Sequence, residues 1–464
     1  MSLAIPALGA LLIDPLMTLA DTAFVGRCAD TAEPLAGMGS AAALLTFSFY
    51  LFNFFCTATT PLVASQRASG NPEKAIQTGG QALSLALASG ALLTTVLLVF
   101  QQPLLQIMGT TPDTYSYASS FLALRALAAP AVLCISASTG VLRGYLDTKT
   151  PIYILVAANM VNLVLDVVLI PGAGLGPLGA AIATTTAEWI SALSFLAVLA
   201  GALPSAGNLS EKLSVRPSLS IPAWNEVQPL VVASAAVFFR SLVLQVTLSS
   251  ATAMAARDAS ASVAAHQIAI QLWLLCSFVA DALAAASQAL IADALGERSR
   301  RRPNDGEDGA VQLITKTIFA YSLALGLFLS TGLGVANANG FLLSFFTADS
   351  STQAALDPVL TLLILSQPLN SLVFAADGVL QGAAEFPFQA KAMLLSGSTA
   401  WISFLALEQT GFMAAAEGNT TLLNIWIALN VLQLMRGLTS LVKVIDKNGP
   451  INLLASSSDS SGAR

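Results

Sequence analysis

The chain has 464 residues, of which 55% are hydrophobic and only 10% charged, with a formal net charge of −6. Ordinary soluble domains carry about 25% charged residues, so this composition leaves too little charge to cover a water-facing surface. The acidic balance also supplies no basic face to neutralise phosphates, which excludes a nucleic-acid binder. What remains is an all-α polytopic membrane protein, with apolar runs that reach the roughly 20 residues needed to cross a bilayer.

Glycine, proline and charge divide the chain into about twelve apolar spans. In the first half they fall near 3–25, 36–62, 79–100, 115–142, 152–170 and 177–201. In the second they fall near 226–254, 262–294, 311–336, 353–380, 387–407 and 419–445. The first run, Leu3 to Phe24, lacks a basic leading segment, carries two aspartates and is too long for a signal-peptide core. A stretch rich in Ser and Pro, 204–224, has the composition of a linker. The expected organisation is a six-helix lobe over 1–203, that linker, a second six-helix lobe over 225–447 and a serine-rich tail over 448–464.

Two phrases support a duplication. Gly140-Val141-Leu142-Arg143-Gly144 closes span four, and Gly378-Val379-Leu380-Gln381-Gly382 closes span ten. A proline follows each, Pro151 and Pro387. Duplicated helix bundles are a common construction among secondary transporters.

Basic residues orient the spans. Lys and Arg collect after even-numbered spans: Arg67 and Lys74, Arg143 and Lys149, Lys212 and Arg216, Arg298 through Arg302, then Lys443 and Lys447, with span ten the exception, since its loop holds no basic residue before Lys391. The odd-side loops hold Arg27 and Arg257. By the positive-inside rule both termini face the cytoplasm, or the stroma in a plastid. The charged stretch 297–309 is expected to be flexible.

Ionisable groups inside a span cost several kcal/mol unless paired, hydrated or neutralised, so each requires a reason. Span one holds Asp14 and Asp21, seven positions apart and on roughly one face, with Pro15 expected to kink the helix between them. Span five holds Asn159, Asn162 and Asp166, the last two stacked at an i, i+4 spacing. Two acids on facing helices can relay a proton; equally, Asp21 can cap its helix end and Asp166 can meet interfacial water. Glu188 in span six, Arg240 in span seven, Asp281 in span eight and Asp377 just before the repeated glycine phrase complete the in-span charges considered. Arg240 has no acid in its own helix, and Asp281 is the partner expected for it. Asp377 is either functional or a helix-end group.

His266 is the only histidine, so no multi-histidine metal site exists, and the plain expectation is a hydrogen-bonded interfacial residue. Cys28, Cys56, Cys134 and Cys276 lie far apart without a CxxC pair and are expected as small buried hydrophobes rather than disulfide or metal ligands.

Several of these segments together resemble the multidrug and toxic compound extrusion (MATE) family. Asp14-Pro15-Leu16 and Asp21-Thr22-Ala23-Phe24-Val25-Gly26 are similar to its first helix. Leu142 through Pro151 resembles the signature after its fourth helix, and Asn159 through Asp166 its fifth-helix acid motif. Arg240-Ser241-Leu242-Val243-Leu244-Gln245 resembles the branch of the DNA-damage-inducible F proteins and their plastid relatives in plants and algae, a branch that also tends to show the Ala-Glu-Trp context of Glu188.

The resemblance implies two pseudo-symmetric six-helix lobes in a V, alternating access, and export of small organic, often cationic, compounds. H⁺ or Na⁺ would drive export without any other cofactor, and coupling would sit at Asp21, Asn162 and Asp166. Asp14, Asn159, Glu188, Arg240, Asp281 and Asp377 are the further cavity candidates. Span seven lacks the carboxylate that many plant vacuolar members carry, which points coupling to the first lobe. The expected setting is a lipid bilayer, of a plastid if eukaryotic or the plasma membrane if bacterial, with the chain working as a monomer. An organic-acid exporter, with Arg240 as anion contact, and a lipid or glycolipid flippase of the same superfamily are the alternatives. No HExxH, GxSxG or second histidine points to an enzyme.

Overall fold

The apolar runs fold into helices whose lengths follow the runs. The computed structural model describes residues 3–28, 33–207, 214–218, 224–255, 260–300, 309–347, 349–410 and 420–454. Lys212, Arg257, Arg301 and Arg302, most of the charged stretch after span eight, the side chain of Asp14 with that of Pro15, and the serine-rich tail lie outside the described residues.

The helices are α1 (Ala4–Cys28), α2 (Glu33–Leu51), α3 (Phe54–Ala68), α4 (Pro72–Val99), α5 (Gln101–Ile107), α6 (Pro112–Ala126), α7 (Ala129–Gly144), α8 (Lys149–Val167) and α9 (Gly176–Leu199). They continue with α10 (Trp224–Ala255), α11 (Ser260–Arg300), α12 (Ala310–Ala338), α13 (Phe341–Phe346), α14 (Ser350–Gly382), α15 (Phe386–Thr410) and α16 (Thr420–Ile445). No strand occurs among the described residues.

Among the described residues, ten segments are long and apolar enough to cross a membrane, α2 and α3 counting as one, and α6 with α7 makes an eleventh bent by 46°. α1, at 25 residues, is long enough at 1.5 Å per residue for the ~30 Å hydrocarbon core. Outward faces are apolar: Leu92, Phe328, Leu365, Ile402 and Val442 are each at least 65% exposed, the distribution a lipid-facing surface requires.

Helix contacts group the chain into two units, Met1–Phe238 and Phe239–Arg464. The 214–218 strip packs on the first unit, where Val215 N–H donates to Leu199 O at 2.8 Å and the Ser84 hydroxyl to Ser218 O at 2.8 Å. Each unit uses its repeated glycine phrase in the same way. On α7, a Cβ at Gly140 would lie 2.8 Å from Cys56 O, and one at Gly144 3.0 Å from Thr60 O, so α7 crosses α3 backbone to backbone. On α14, Gly378 meets Ala284 O, and a Cβ at Gly382 would lie 2.6 Å from Gln288 O on α11. Small residues at such crossings let membrane helices approach closely enough to pack without side-chain interdigitation.

The bend between α6 and α7 has a covalent cause. Pro130 has no N–H, so Ala126 O loses its i+4 donor. The Thr94 hydroxyl on α4 takes that place at 2.6 Å, where Gly90 brings α4 against Pro130. α8 ends just after Asp166 in a single π turn, Val168–Gly172, and Gly174 and Gly176, both at positive φ, reverse the chain into α9. Cys56, Cys134 and Cys276 are buried, Cys28 is exposed, and all four are free thiols.

Candidate functional site

The first unit brings together three of the expected residues. Asp21 on α1 and Asp166 on α8 lie side by side, their carboxyl groups within hydrogen-bonding reach. Asn162, one turn before Asp166, is fully buried with it at 0% exposure. The i, i+4 spacing on α8 aims both side chains at α1. From α9, the Thr184 hydroxyl donates to Asp21 Oδ2 at 3.1 Å.

The remaining polar atoms are unmatched. Asp21 Oδ1, both oxygens of Asp166, and the amide nitrogen and oxygen of Asn162 have no hydrogen-bond partner among the described residues. Two adjacent carboxylates are acceptors only and cannot satisfy each other, but a proton on either makes it a donor to its neighbour. Asn159 sits apart from this arrangement: it is half-buried and its Nδ2 donates to Leu155 O of its own helix at 2.9 Å.

Glu188 lies one turn beyond Thr184 on α9, and it is paired. Arg125 at the end of α6 clasps it with both guanidinium nitrogens, one ion pair joining Nη1 to Oε2 and the other joining Nη2 to Oε1 at 2.7 Å. Both residues are mostly buried and within Coulombic reach of Asp21. Arg125 was not among the expected residues, although it is an in-span charge and the same cost argument applies to it.

In the second unit the carboxylate that meets Arg240 is that of Asp377 on α14, where the sequence pointed to Asp281 on α11. Asp377 is therefore more than a helix-end group. Arg436 on α16 reaches the same Oδ2 at 2.5 Å, and Gln389 on α15 donates to Asp377 O at 3.1 Å and to Oδ1 at 3.3 Å. The network continues from Arg436 to Gln433 Oε1 at 2.5 Å, from Gln433 to Asn370 Oδ1 at 2.8 Å and from Asn370 to the Ser277 hydroxyl at 3.3 Å. Periodicity aligns side chains on one helix and says nothing of these cross-helix partners, so Gln389, Gln433 and Asn370 carried no sequence signal. Asp281 is half-buried on α11. His266 is buried rather than interfacial: its Nε2 meets the Thr252 hydroxyl at 3.1 Å and its ring packs edge-on to Trp426.

A small cavity in this unit lies between Trp273, Trp426, Asn370, Asn430, Gln433 and aliphatic side chains. Three histidine, cysteine or carboxylate groups suited to one metal ion do not come together anywhere among the described residues.

The MatE family profile matches residues 6–168 and 229–402, most of both units. The chain belongs to the MATE family. Among curated proteins, this MATE chain is 31% identical to Protein DETOXIFICATION 44, chloroplastic, of Arabidopsis thaliana, over 98% of this chain and 83% of that protein. It is 27% identical to the DNA damage-inducible protein F of Escherichia coli (strain K12), over 94% of this chain and 89% of that one. A Bacillus cereus protein named as a probable multidrug resistance protein NorM is 26% identical over 80% of this chain and 78% of its own length.

Among solved structures, the outward-facing conformation of a multidrug resistance MATE family transporter superposes with a TM-score of 0.78 at 18% identity. It covers 95% of this chain and 92% of that one. MATE in the bent conformation gives 0.77 with the same identity and coverage. As a member of this family the chain is an integral membrane transporter and not an enzyme, in line with what the resemblance implied.

Proposed function

We propose that this MATE chain is a proton-coupled antiporter that exports small organic compounds by alternating access, with Asp21, Asn162 and Asp166 as its coupling site. The observation that carries the reading is the adjacent carboxyl pair whose oxygens lack donors. One proton shared by Asp21 and Asp166 supplies the missing hydrogen bond and removes one of two neighbouring negative charges in a buried place. The Asn162 amide then has a neutral neighbour to meet.

For the proton to drive transport, its preference between the inward- and outward-open states must oppose that of the substrate. The interhelical position of the pair suits this, because α1, α8 and α9 each hold one of its parts, and protonation changes what binds them together.

Both termini on the cytoplasmic or stromal side is the orientation favoured by the basic residues after even-numbered spans. The relative named as chloroplastic supports a plastid membrane if the chain is eukaryotic, and the bacterial ones a plasma membrane if it is not. The chain is taken to work as a monomer. Arg240 is engaged with Asp377, which weakens the organic-acid reading that depended on it as the anion contact.

The test is uptake of ethidium into proteoliposomes under an imposed pH gradient and, separately, an imposed Na⁺ gradient, for the native chain beside Asp166→Asn. Movement driven by the pH gradient and lost in the variant supports the reading. Movement driven by Na⁺ alone would replace the proton with Na⁺ at the same site.

A further inference from the structure

Four side chains on α9 face two different parts of the first unit. Thr184 and Glu188, four apart, form one row of the helix, and Thr185 and Trp189 form the next. Thr184 holds Asp21, the carboxylate end. The other three hold the bend in span four. The Thr185 hydroxyl reaches Leu124 O at 3.4 Å, Glu188 pairs with Arg125, and the indole N–H of Trp189 donates to Leu127 O at 3.2 Å. The carbonyls of Leu124, Ala126 and Leu127 ring the point where Pro130 and the 46° bend interrupt the helical hydrogen-bond ladder. Three side chains from one turn and a half of α9 thus stabilise an otherwise weak point.

We propose that the Thr184–Trp189 stretch of α9 is a transmission clamp, in which Arg125 and Glu188 are positioning residues that tie the protonation of the Asp21–Asp166 pair to the bend between α6 and α7. The proposal rests on the proton-coupling reading above and extends it to a mechanical consequence. A proton on the pair changes what Oδ2 of Asp21 asks of the Thr184 hydroxyl. α9 shifts as a rigid rod, since its ladder is unbroken from Gly176 to Leu199. Glu188 and Trp189 move with it and alter the grip on the bend.

The charged groups that face this stretch are few. α1 brings Asp21, with Arg27 at its end and Asp14 outside the described side chains; α8 brings Asp166, with Lys149 at its start. α6 brings Arg125, with Asp113 at its start. Around these helices, α2 has only Glu33 in its first turn, α4 only Glu73 and Lys74 at its start, α7 only Arg143 in its last turn, and α5 none.

The test is hydrogen exchange by mass spectrometry on the full purified chain in lipid nanodiscs, across pH and corrected for intrinsic rates with an unfolded control. It compares peptides covering 17–24, 162–170 and 124–131. The native chain should show pH-dependent protection in all three. Thr184→Val, Trp189→Phe and Glu188→Gln should each abolish the pH dependence at 124–131, and the last two should leave that at 162–170 as it is in the native chain. The Thr184→Val/Glu188→Gln double variant should lose no more than either single one, the non-additivity of a shared path. The swap Arg125→Glu/Glu188→Arg should restore the response.

A merely structural role predicts faster exchange at every pH with the pH dependence intact, and that result overturns the proposal. So does a bend that ignores pH while the other two peptides respond. If none of the three peptides responds, the coupling reading fails first and the clamp fails with it. Thr184→Val deletes a single donor at nearly constant shape, and Trp189→Phe removes the indole N–H from a side chain that is 37% exposed, so the outcome does not hinge on the folding of the charge variants.

Discussion

The hydroxyl of Thr184 donates to Oδ2 of Asp21 across 163 positions of sequence. That bond joins α1 to α9, and places the carboxyl pair where α1, α8 and α9 meet. Most of what can be tested about this MATE chain follows from such cross-helix contacts.

Asp21→Asn and Asp166→Asn each remove one acid of the pair and leave an amide of the same shape. Both should reduce pH-gradient-driven transport by at least about tenfold, or ~1.4 kcal/mol of barrier. Initial rates in proteoliposomes measure this, with thermal melting to confirm that the variants fold. A rate equal to the native one in both variants would remove the coupling site from this corner of the unit.

The Arg240–Asp377–Arg436 network should matter to stability more than any exposed pair. Asp377→Ala leaves two mostly buried guanidiniums without their shared carboxylate, and losses of this kind cost about 3–5 kcal/mol. Arg240→Met, which keeps the apolar stem, should cost less, because Asp377 still holds Arg436. Melting temperatures in detergent should rank native, Arg240→Met, then Asp377→Ala.

The duplicated glycines make a paired prediction. Gly144→Ala and Gly382→Ala push a methyl to 3.0 and 2.6 Å from backbone oxygens of the crossing helix, and overpacking typically costs about 1–3 kcal/mol. Gly39→Ala, on α2 with nothing within 4 Å, should instead be neutral or gain up to about 1 kcal/mol of helix propensity. Equal melting of all three would mean that the crossings are looser than the glycines suggest.

Asp349 caps α14, its carboxylate accepting from Thr352 N–H at 2.9 Å and from the Ser351 and Thr352 hydroxyls at 2.6 Å each. Those bonds hold its carboxyl down from 3.8 to about 2. A depressed folded value means that the cap contributes fully above the unfolded value and is lost as pH falls through about 2. At neutral pH the ionised cap is therefore intact, and Asp349→Ala should speed amide exchange in the first turn of α14, near Ser351 to Gln353, without touching the rest of the helix.

The sequence by itself determined the class, the helices and the duplication. Charge was too scarce for a soluble surface, the apolar runs matched the bilayer, and every expected span appears as a helix or a bent pair. It also determined that Asn162 and Asp166 share a face, since an i, i+4 spacing on a helix allows nothing else. The cost of a buried charge marked Asp21, Asp166, Glu188 and Arg240, and applied evenly it marks Arg125 and Arg436 as well.

Only the tertiary structure decided who meets whom. Arg240 turned to Asp377 rather than to the expected Asp281, Glu188 to Arg125, and Asp21 to both Asp166 and Thr184. Helical periodicity fixes the direction of a side chain about its own axis. The partner depends on where two helices cross and at what depth, and here those crossings are set by glycines, by Pro130 and by the π turn after Asp166. These close approaches are properties of two segments at once, which is why no single segment announces them.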